Sequence, residues 1–196
     1  MTIITLFLAA LAGYLFGAIP FGIVMAKVFG LGDLRAIGSG NIGATNVLRT
    51  GNKLAAFLTL ILDAGKAGIA VLLAGALFGE LAGLVAGLAA FVGHCYPVWL
   101  GFKGGKGVAT FFGLIFAACW PVGLAAGATW LVVAALSRYS SLSALIASAL
   151  APVYAAALGG TLMVPFLIIL ALLIFWRHTE NIQRLLKGTE GKIGSK

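Results

Sequence analysis

Apolar runs follow one another along this chain with almost no charge inside them, and that succession leaves few folds open. They read roughly 3–26, 54–78, 81–100, 107–119, 121–136, 141–157 and 161–176. A helix needs ~20 residues, and at least ~17, to cross the hydrocarbon of a bilayer. The first three runs meet that length and the last two come near it, whereas 107–119 and 121–136 fall short. Pro121 separates the two short ones. A proline starts a helix readily and disfavours helix at the residue before it. The spacing therefore predicts two short helices joined at Cys119-Trp120-Pro121, rather than one long kinked helix, and seven spans rather than six. Only 9% of the residues are charged, against about a quarter in a soluble domain. Such a chain has no polar coat for water, so lipid must cover most of it. The fold expected is all-α, a polytopic helical bundle forming a single membrane domain over residues 1–196.

The basic residues orient this bundle. Counted on seven spans, the connectors alternate in charge. The set 27–53, 101–106, 137–140 and the tail from 177 holds Lys27, Arg35, Arg49, Lys53, Lys103, Lys106, Arg138, Arg177, Arg184, Lys187, Lys192 and Lys196, which is 12 of the 13. The N-terminus and the connectors 79–80, 120 and 158–160 hold none. Cytoplasmic loops carry the excess of Lys and Arg, so the N-terminus is expected outside and the C-terminus in the cytoplasm. Six spans would scatter the basic loops over both faces. The first run is too long for a cleaved signal peptide and lacks its basic flank, so it stays a span. The net charge of +8 does not point to nucleic acid, because it is gathered at one membrane face. Cys95 and Cys119 sit in separate apolar runs and suggest packing, with neither a disulfide nor a metal-ligand spacing.

Three residues interrupt the apolar interior. Asp63 and Lys66 are three apart near the middle of the second run, so one helix face carries both. A lone charge at that depth costs ~3 kcal/mol or more, so the two are expected to pair. They read as an internal pair that orients the helix, with an ion or proton relay as the functional alternative. His94, near the end of the third run, reads as a satisfied interior histidine, because no second ligand residue accompanies it at metal spacing.

Chemistry concentrates in three connector segments. The first runs Gly38-Ser39-Gly40-Asn41-Ile42-Gly43-Ala44-Thr45-Asn46-Val47-Leu48-Arg49. Its glycines let backbone N–H groups converge on an anion. Ser39, Asn41 and Asn46 add side-chain donors, and Arg49 can fork onto a phosphate. The second runs Gly101-Phe102-Lys103-Gly104-Gly105-Lys106-Gly107-Val108-Ala109-Thr110 and opens a helix. A glycine-rich turn feeding a helix N-terminus offers N–H groups and a positive dipole end. The nucleotide-binding pattern G-x-x-x-x-G-K-[ST] fails here, since Leu100 stands at the first glycine and Gly107 at the hydroxyl position. The third segment, from Arg177 to Glu190, spaces His178, Asn181 and Arg184 three apart, along one side of a continuing helix. Histidine is the usual proton carrier near neutral pH.

In that order S-G-N-x-G-A-T-N-x-x-R, G-G-K-G-V-A-T and H-x-x-N-I-x-R-L-x-x-G-x-E resemble the three signature motifs of the bacterial acyl-phosphate-dependent glycerol-3-phosphate acyltransferases, the PlsY family. The likeness covers essentially the whole chain, with no departure at the diagnostic motif positions. It implies transfer of a fatty acyl group from acyl phosphate to the 1-hydroxyl of glycerol 3-phosphate, giving lysophosphatidic acid and phosphate, the first step of phospholipid synthesis. It also implies a bacterial inner-membrane enzyme whose active site faces the cytoplasm. His178, Asn181 and Lys106 are then the catalytic candidates. Ser39, Gly40, Asn41, Gly43, Thr45, Asn46, Arg49, Gly104, Gly105, Gly107, Arg184 and Glu190 are the substrate-binding ones, with Glu190 expected to fix the third motif through Arg184 or a neighbouring base. No metal, cofactor, nucleic acid or obligate protein partner is expected; acyl phosphate, glycerol 3-phosphate and membrane lipid are. Acyl phosphate is already activated, so no acyl-enzyme is required, and no Ser-His-Asp order supports one. Read from the residues alone, the same anion cradles would also suit a phosphate or organic-anion transporter. Such a protein usually shows internal repeats and a midplane site, and none is evident. A structural lipid-binding subunit is the third reading.

Overall fold

The computed structural model describes residues 2–194; Met1, Ser195 and Lys196 lie outside the described residues, Lys196 among the basic positions counted above. Every described regular element is helical. The order is α1 (Ile3–Gly17), α2 (Phe21–Val28), α3 (Ala44–Leu48), α4 (Lys53–Phe78), α5 (Glu80–Cys95), α6 (Val108–Ala118), α7 (Trp120–Ser137), α8 (Ser140–Ala157), α9 (Val164–Arg177) and α10 (Thr179–Leu186). Each apolar run of the sequence appears as helix. Five stretches have the length and hydropathy to cross a membrane: Ile3–Val28, Lys53–Phe78, Glu80–Leu100, Trp120–Ser137 and Ser140–Ala157. Thr161–Arg177 meets the requirement only together with Thr179–Leu186, to which it is joined at a 62° bend. The remaining run, Val108–Ala118, has 11 residues, ~16 Å of helix against a ~30 Å hydrocarbon layer. Cys119 is extended (φ −155°, ψ 93°) and Pro121 stands in the first turn of α7. Thus α6 and α7 are separate helices, as the proline predicts.

The chain forms two compact units, Met1–Ala118 and Cys119–Lys196. In the first, α5 packs on α1 and α4, and α6 packs on α4. Small residues make these contacts. A Cβ on Gly17 would overlap the backbone of Ala90, and one on Gly113 that of Ala64. Lipid tails are as apolar as leucine, so membrane helices associate by this close backbone approach rather than by hydrophobic exclusion. The first span is broken between α1 and α2 at Ile19-Pro20, and Pro20 cannot donate to an earlier carbonyl. Tyr14 donates to the Tyr96 carbonyl at 2.8 Å and Trp99 Nε1 to the Ala18 carbonyl at 3.0 Å, which pins the end of α5 to that break. Asn52 caps α4 by accepting from the Ala55 N–H at 2.9 Å. In the second unit α8 packs between α7 and α9, and the residues after α10 return to the α7–α8 turn.

Candidate active site

The first unit carries the first two motifs. Gly38 and Gly40 both adopt positive φ (52° and 66°), which folds residues 37–43 into a compact loop ahead of α3. Apolar side chains on either side of it anchor it: Leu34 and Val47 are buried with Ala26, Ala55 and Ala56. Asn46 is 2% exposed and holds the loop from within. Its Oδ1 accepts from the Ser39 N–H at 3.2 Å and from Arg49 at 3.4 Å, and its Nδ2 donates to the Leu34 carbonyl at 2.8 Å. The structure thus gives Asn46 an architectural part, while Ser39, Thr45 and Arg49 stay exposed and Gly40, Asn41 and Gly43 half-buried. Arg35 connects the two motifs by donating to the Lys103 carbonyl at 3.0 Å. Sequence reasoning passed over Arg35, which outside these contacts is one basic loop residue among several.

The second motif is built differently from the expected ring of backbone donors. The Gly104 N–H donates to the Cys95 carbonyl and the Gly105 N–H to the His94 carbonyl, each at 3.1 Å. The turn is thereby stitched to the end of α5, and these two amides are engaged before any anion arrives. Glycine is required here for closeness. A Cβ on Gly104 would overlap the His94 carbonyl, and one on Gly105 would overlap His94 Nε2. Gly107 has φ +83° and lies against the Phe91 ring, so it is constrained by conformation and by space. The Phe111 N–H closes the first turn of α6 on the Gly107 carbonyl at 2.7 Å. The N–H groups of Val108, Ala109 and Thr110 therefore precede the first intrahelical bond, at the positive end of the dipole. Half-buried Lys106 stands just ahead of them. Thr110, 0% exposed, has a buried hydroxyl with no hydrogen-bond partner among the described residues. This end of α6 has the charge and donors to take a phosphate.

Beneath the turn lies a cluster that joins the Asp63–Lys66 pair to His94. Lys66 Nζ donates to Asp63 Oδ1 at 2.8 Å and to the Ile19 carbonyl at 2.9 Å, and lies 2.9 Å from His94 Nδ1. All three side chains are buried. The i,i+3 spacing revealed the Asp63–Lys66 pair; nothing in it could reveal His94, 28 residues further along.

The second unit carries the third motif. Its helix does not continue through His178 as the three-residue spacing implied: the 62° bend falls there. His178 is 3% exposed, and its Nδ1 lies 2.8 Å from the Ile174 carbonyl. A carbonyl has no hydrogen to give, so Nδ1 is protonated and donates. In the neutral ring the lone pair then sits on Nε2. Glu190 organises the residues after the bend. Its Oε1 accepts from Ser141 Oγ at 2.7 Å and from Asn181 Nδ2 at 2.6 Å, and its Oε2 accepts from Arg184 Nε at 2.7 Å. Burial raises a carboxyl, but the hydrogen bonds from Ser141, Asn181 and Arg184, with the arginine's charge, outweigh it and hold Glu190 below its ordinary value. Ser141 escaped sequence reasoning because it lies 49 residues before Glu190. The tail is secured next to it, as the Ile193 N–H donates to the Arg138 carbonyl at 2.7 Å and Arg138 returns a bond to Ile193 O at 3.0 Å.

Apolar spans with a glycine turn and a lysine at a helix start in the first unit, and a buried histidine and a carboxylate-held arginine in the second, mark an integral membrane protein equipped to handle anions. Similarity to known proteins narrows the class. A family model described as glycerol-3-phosphate acyltransferase matches residues 7–188. Glycerol-3-phosphate acyltransferases from Jannaschia sp. (65% identical, over 95% of this chain and 92% of the relative) and Maricaulis maris (61%, over 100% and 91%) align along nearly their whole length. A crystal structure of PlsY, an integral membrane glycerol 3-phosphate acyltransferase, in its glycerol 3-phosphate form matches at TM-score 0.91 with 41% identity, over 96% of each chain. The lysophosphatidic acid form matches at 0.88 with 38% identity, over 96% of this chain and 95% of that one. The chain belongs to the glycerol-3-phosphate acyltransferase family and is an integral membrane acyltransferase.

Proposed function

We propose that this chain moves a fatty acyl group from acyl phosphate to the 1-hydroxyl of glycerol 3-phosphate. The bond formed joins the hydroxyl oxygen to the acyl carbon, the bond broken is that between the acyl carbon and the phosphate oxygen, and the hydroxyl proton leaves. The products are lysophosphatidic acid and inorganic phosphate. The observation that carries this reading is His178: its Nδ1 hydrogen is committed to Ile174, so Nε2 presents the lone pair that can accept the proton. A phosphate oxygen of either substrate is the other acceptor, with His178 then positioning. Lys106 and the start of α6 stabilise the departing phosphate, and Arg49 binds a second anion. The relatives' names and the two PlsY forms support glycerol 3-phosphate as acceptor and lysophosphatidic acid as product. An apolar groove of about 330 Å³ on α8, α9 and α10, lined in part by Leu145, Phe175, Ile182 and Leu186, suits an acyl chain beside the third motif.

The two units act as one acyltransferase domain, without an obligate protein partner. The chain crosses a bacterial inner membrane seven times, α6 being the short fourth crossing. The N-terminus is outside, and the C-terminus and reacting groups face the cytoplasm. The distribution of basic residues supports that orientation. Purified protein given acyl phosphate and glycerol 3-phosphate should release phosphate and a lysolipid in equal amounts. Uptake of phosphate into vesicles without a lysolipid would replace this reading with transport. A cysteine placed in the tail should react with an impermeant thiol reagent only after the inner face is opened.

A further inference from the structure

Three buried ionisable side chains in the first unit's spans, Asp63, Lys66 and His94, have no part in the acyl transfer as described so far, although His94 touches the glycine turn. Such groups are costly among lipid and mark function more often than packing. Lys66 is the centre. An ammonium has three hydrogens and no lone pair, and among the described residues its hydrogen-bonding neighbours number three: Asp63 Oδ1, the Ile19 carbonyl and His94 Nδ1, at 2.8, 2.9 and 2.9 Å, with the Phe21 ring 5.7 Å away. The Ile19 carbonyl is available because the helix is broken at Ile19-Pro20. Each ammonium hydrogen thus has one acceptor; His94 Nδ1 also lies 3.5 Å from Asp63 Oδ1, but the shorter 2.9 Å contact is with the ammonium, from which it accepts. The proton of the neutral ring is then on Nε2. That nitrogen faces the second motif so closely that a Cβ on Gly105 would overlap it. His94 and Cys95 also supply the carbonyls that receive the Gly105 and Gly104 N–H groups. One residue touches the turn through both its backbone and its ring, and Lys66 fixes that ring.

We propose that Asp63, Lys66 and His94 are positioning residues for the acyl transfer, a buried relay that sets the glycine turn 104–107, and with it Lys106 and the start of α6, in the register that receives a substrate phosphate. This rests on the acyltransferase reading. Asp63 holds the ammonium, the ammonium holds the imidazole as its Nε2–H form, and the imidazole supports the turn. The recognised chemistry is a phosphate group, carried by either acyl phosphate or glycerol 3-phosphate.

Two measurements test it. The chain has only two histidines, so selective ¹⁵N-histidine labelling shows two imidazoles, assigned with a His178→Gln variant. His94 is expected as the Nε2–H form and His178 as the Nδ1–H form. A His94 ring protonated at Nδ1 alone would overturn the relay. The second measurement is kinetic, on the double variant Asp63→Asn/Lys66→Met, which removes both charges without stranding either. Replacing a buried ion pair by uncharged residues of similar size is often neutral for folding. A pair that only orients helices would leave the folded variant as active as the wild type, and that result would sink the proposal. Misplacing a binding group by about an ångström costs up to ~100-fold. The expected result is a loss of that order in kcat/KM, with the ¹⁵N signature of His94 changed. Titrating each substrate separately shows which phosphate the turn holds, as the one whose KM rises. An inactive wild type would instead strike at the acyltransferase reading, and a variant that does not fold leaves the tautomer measurement to decide.

Discussion

Replacing Glu190 by Gln keeps size and shape and removes one acceptor oxygen, so its cost follows from the contacts. The carboxylate accepts three hydrogen bonds at 2.6–2.7 Å, two on Oε1 and one on Oε2. If the glutamine oxygen takes the Oε1 place, the bonds from Ser141 and Asn181 survive, and the new NH₂ faces Arg184 Nε–H, donor against donor. If it takes the Oε2 place, the NH₂ faces the Asn181 amide instead. Either way at least one charge-assisted bond is lost, worth ~1.5–3 kcal/mol. Arg184 is 35% exposed, and water can partly replace what it loses, so the lower part of that range applies. About 1.5–2 kcal/mol corresponds to a fall of roughly 10- to 30-fold in kcat/KM, if the cluster must be closed for reaction. The assay is phosphate release from acyl phosphate in the presence of glycerol 3-phosphate, with lysolipid measured in parallel. A Gln variant within twofold of wild type would refute the idea that the Glu190 cluster sets the third motif.

Four further outcomes follow from the same contacts. Arg49→Ala and Lys106→Ala should each remove an anion contact of ~1.5–3 kcal/mol and lower kcat/KM about tenfold or more in protein that still enters the membrane; near-normal kinetics in both would remove them from the site. His178→Gln should lower kcat by ~10²–10⁴-fold and abolish the acid limb of the rate profile if His178 is the base. A rise in KM with that limb retained would assign the proton to a substrate phosphate. Gly107→Val should destabilise and inactivate, because it puts a branched side chain at φ +83° against Phe91, and a thermal midpoint equal to wild type would contradict the packing described. Glu190 is held below its ordinary value in the folded protein, so the stability it contributes is complete above the unfolded carboxyl value and is lost as pH falls through the folded one. Wild type should therefore lose stability in acid relative to the Gln variant, which a melting series from neutral to acid pH measures.

Much of the architecture was legible because its causes are local. Apolar length marks a helix in lipid wherever the chain goes, so each run from 3–26 to 161–176 became helix, and Pro121 ended one before the next began. The three motifs were legible for a similar reason: glycine, amide and basic side chains are out of place beside a bilayer unless an anion needs them. The parts played by individual residues were not. Asn46 looks like a substrate donor in a string of letters and proves to hold its own loop, because donor capacity is a property of the residue and availability a property of its neighbours. Gly104 and Gly105 were singled out for N–H groups that the fold directs to Cys95 and His94, and they must be glycine because α5 passes close by. The straight helix implied by His178, Asn181 and Arg184 gives way to a bend, and what unites Asn181 and Arg184 is Glu190 in the tail after α10, joined there by Ser141 from α8. Asp63 and Lys66 announce a pair by their spacing; only the break at Ile19-Pro20 and the approach of α5 make them, with His94, a three-membered cluster. Spacing along one helix is written in the chain, whereas a hydrogen bond across 28 or 49 residues exists only once packing has brought the elements together.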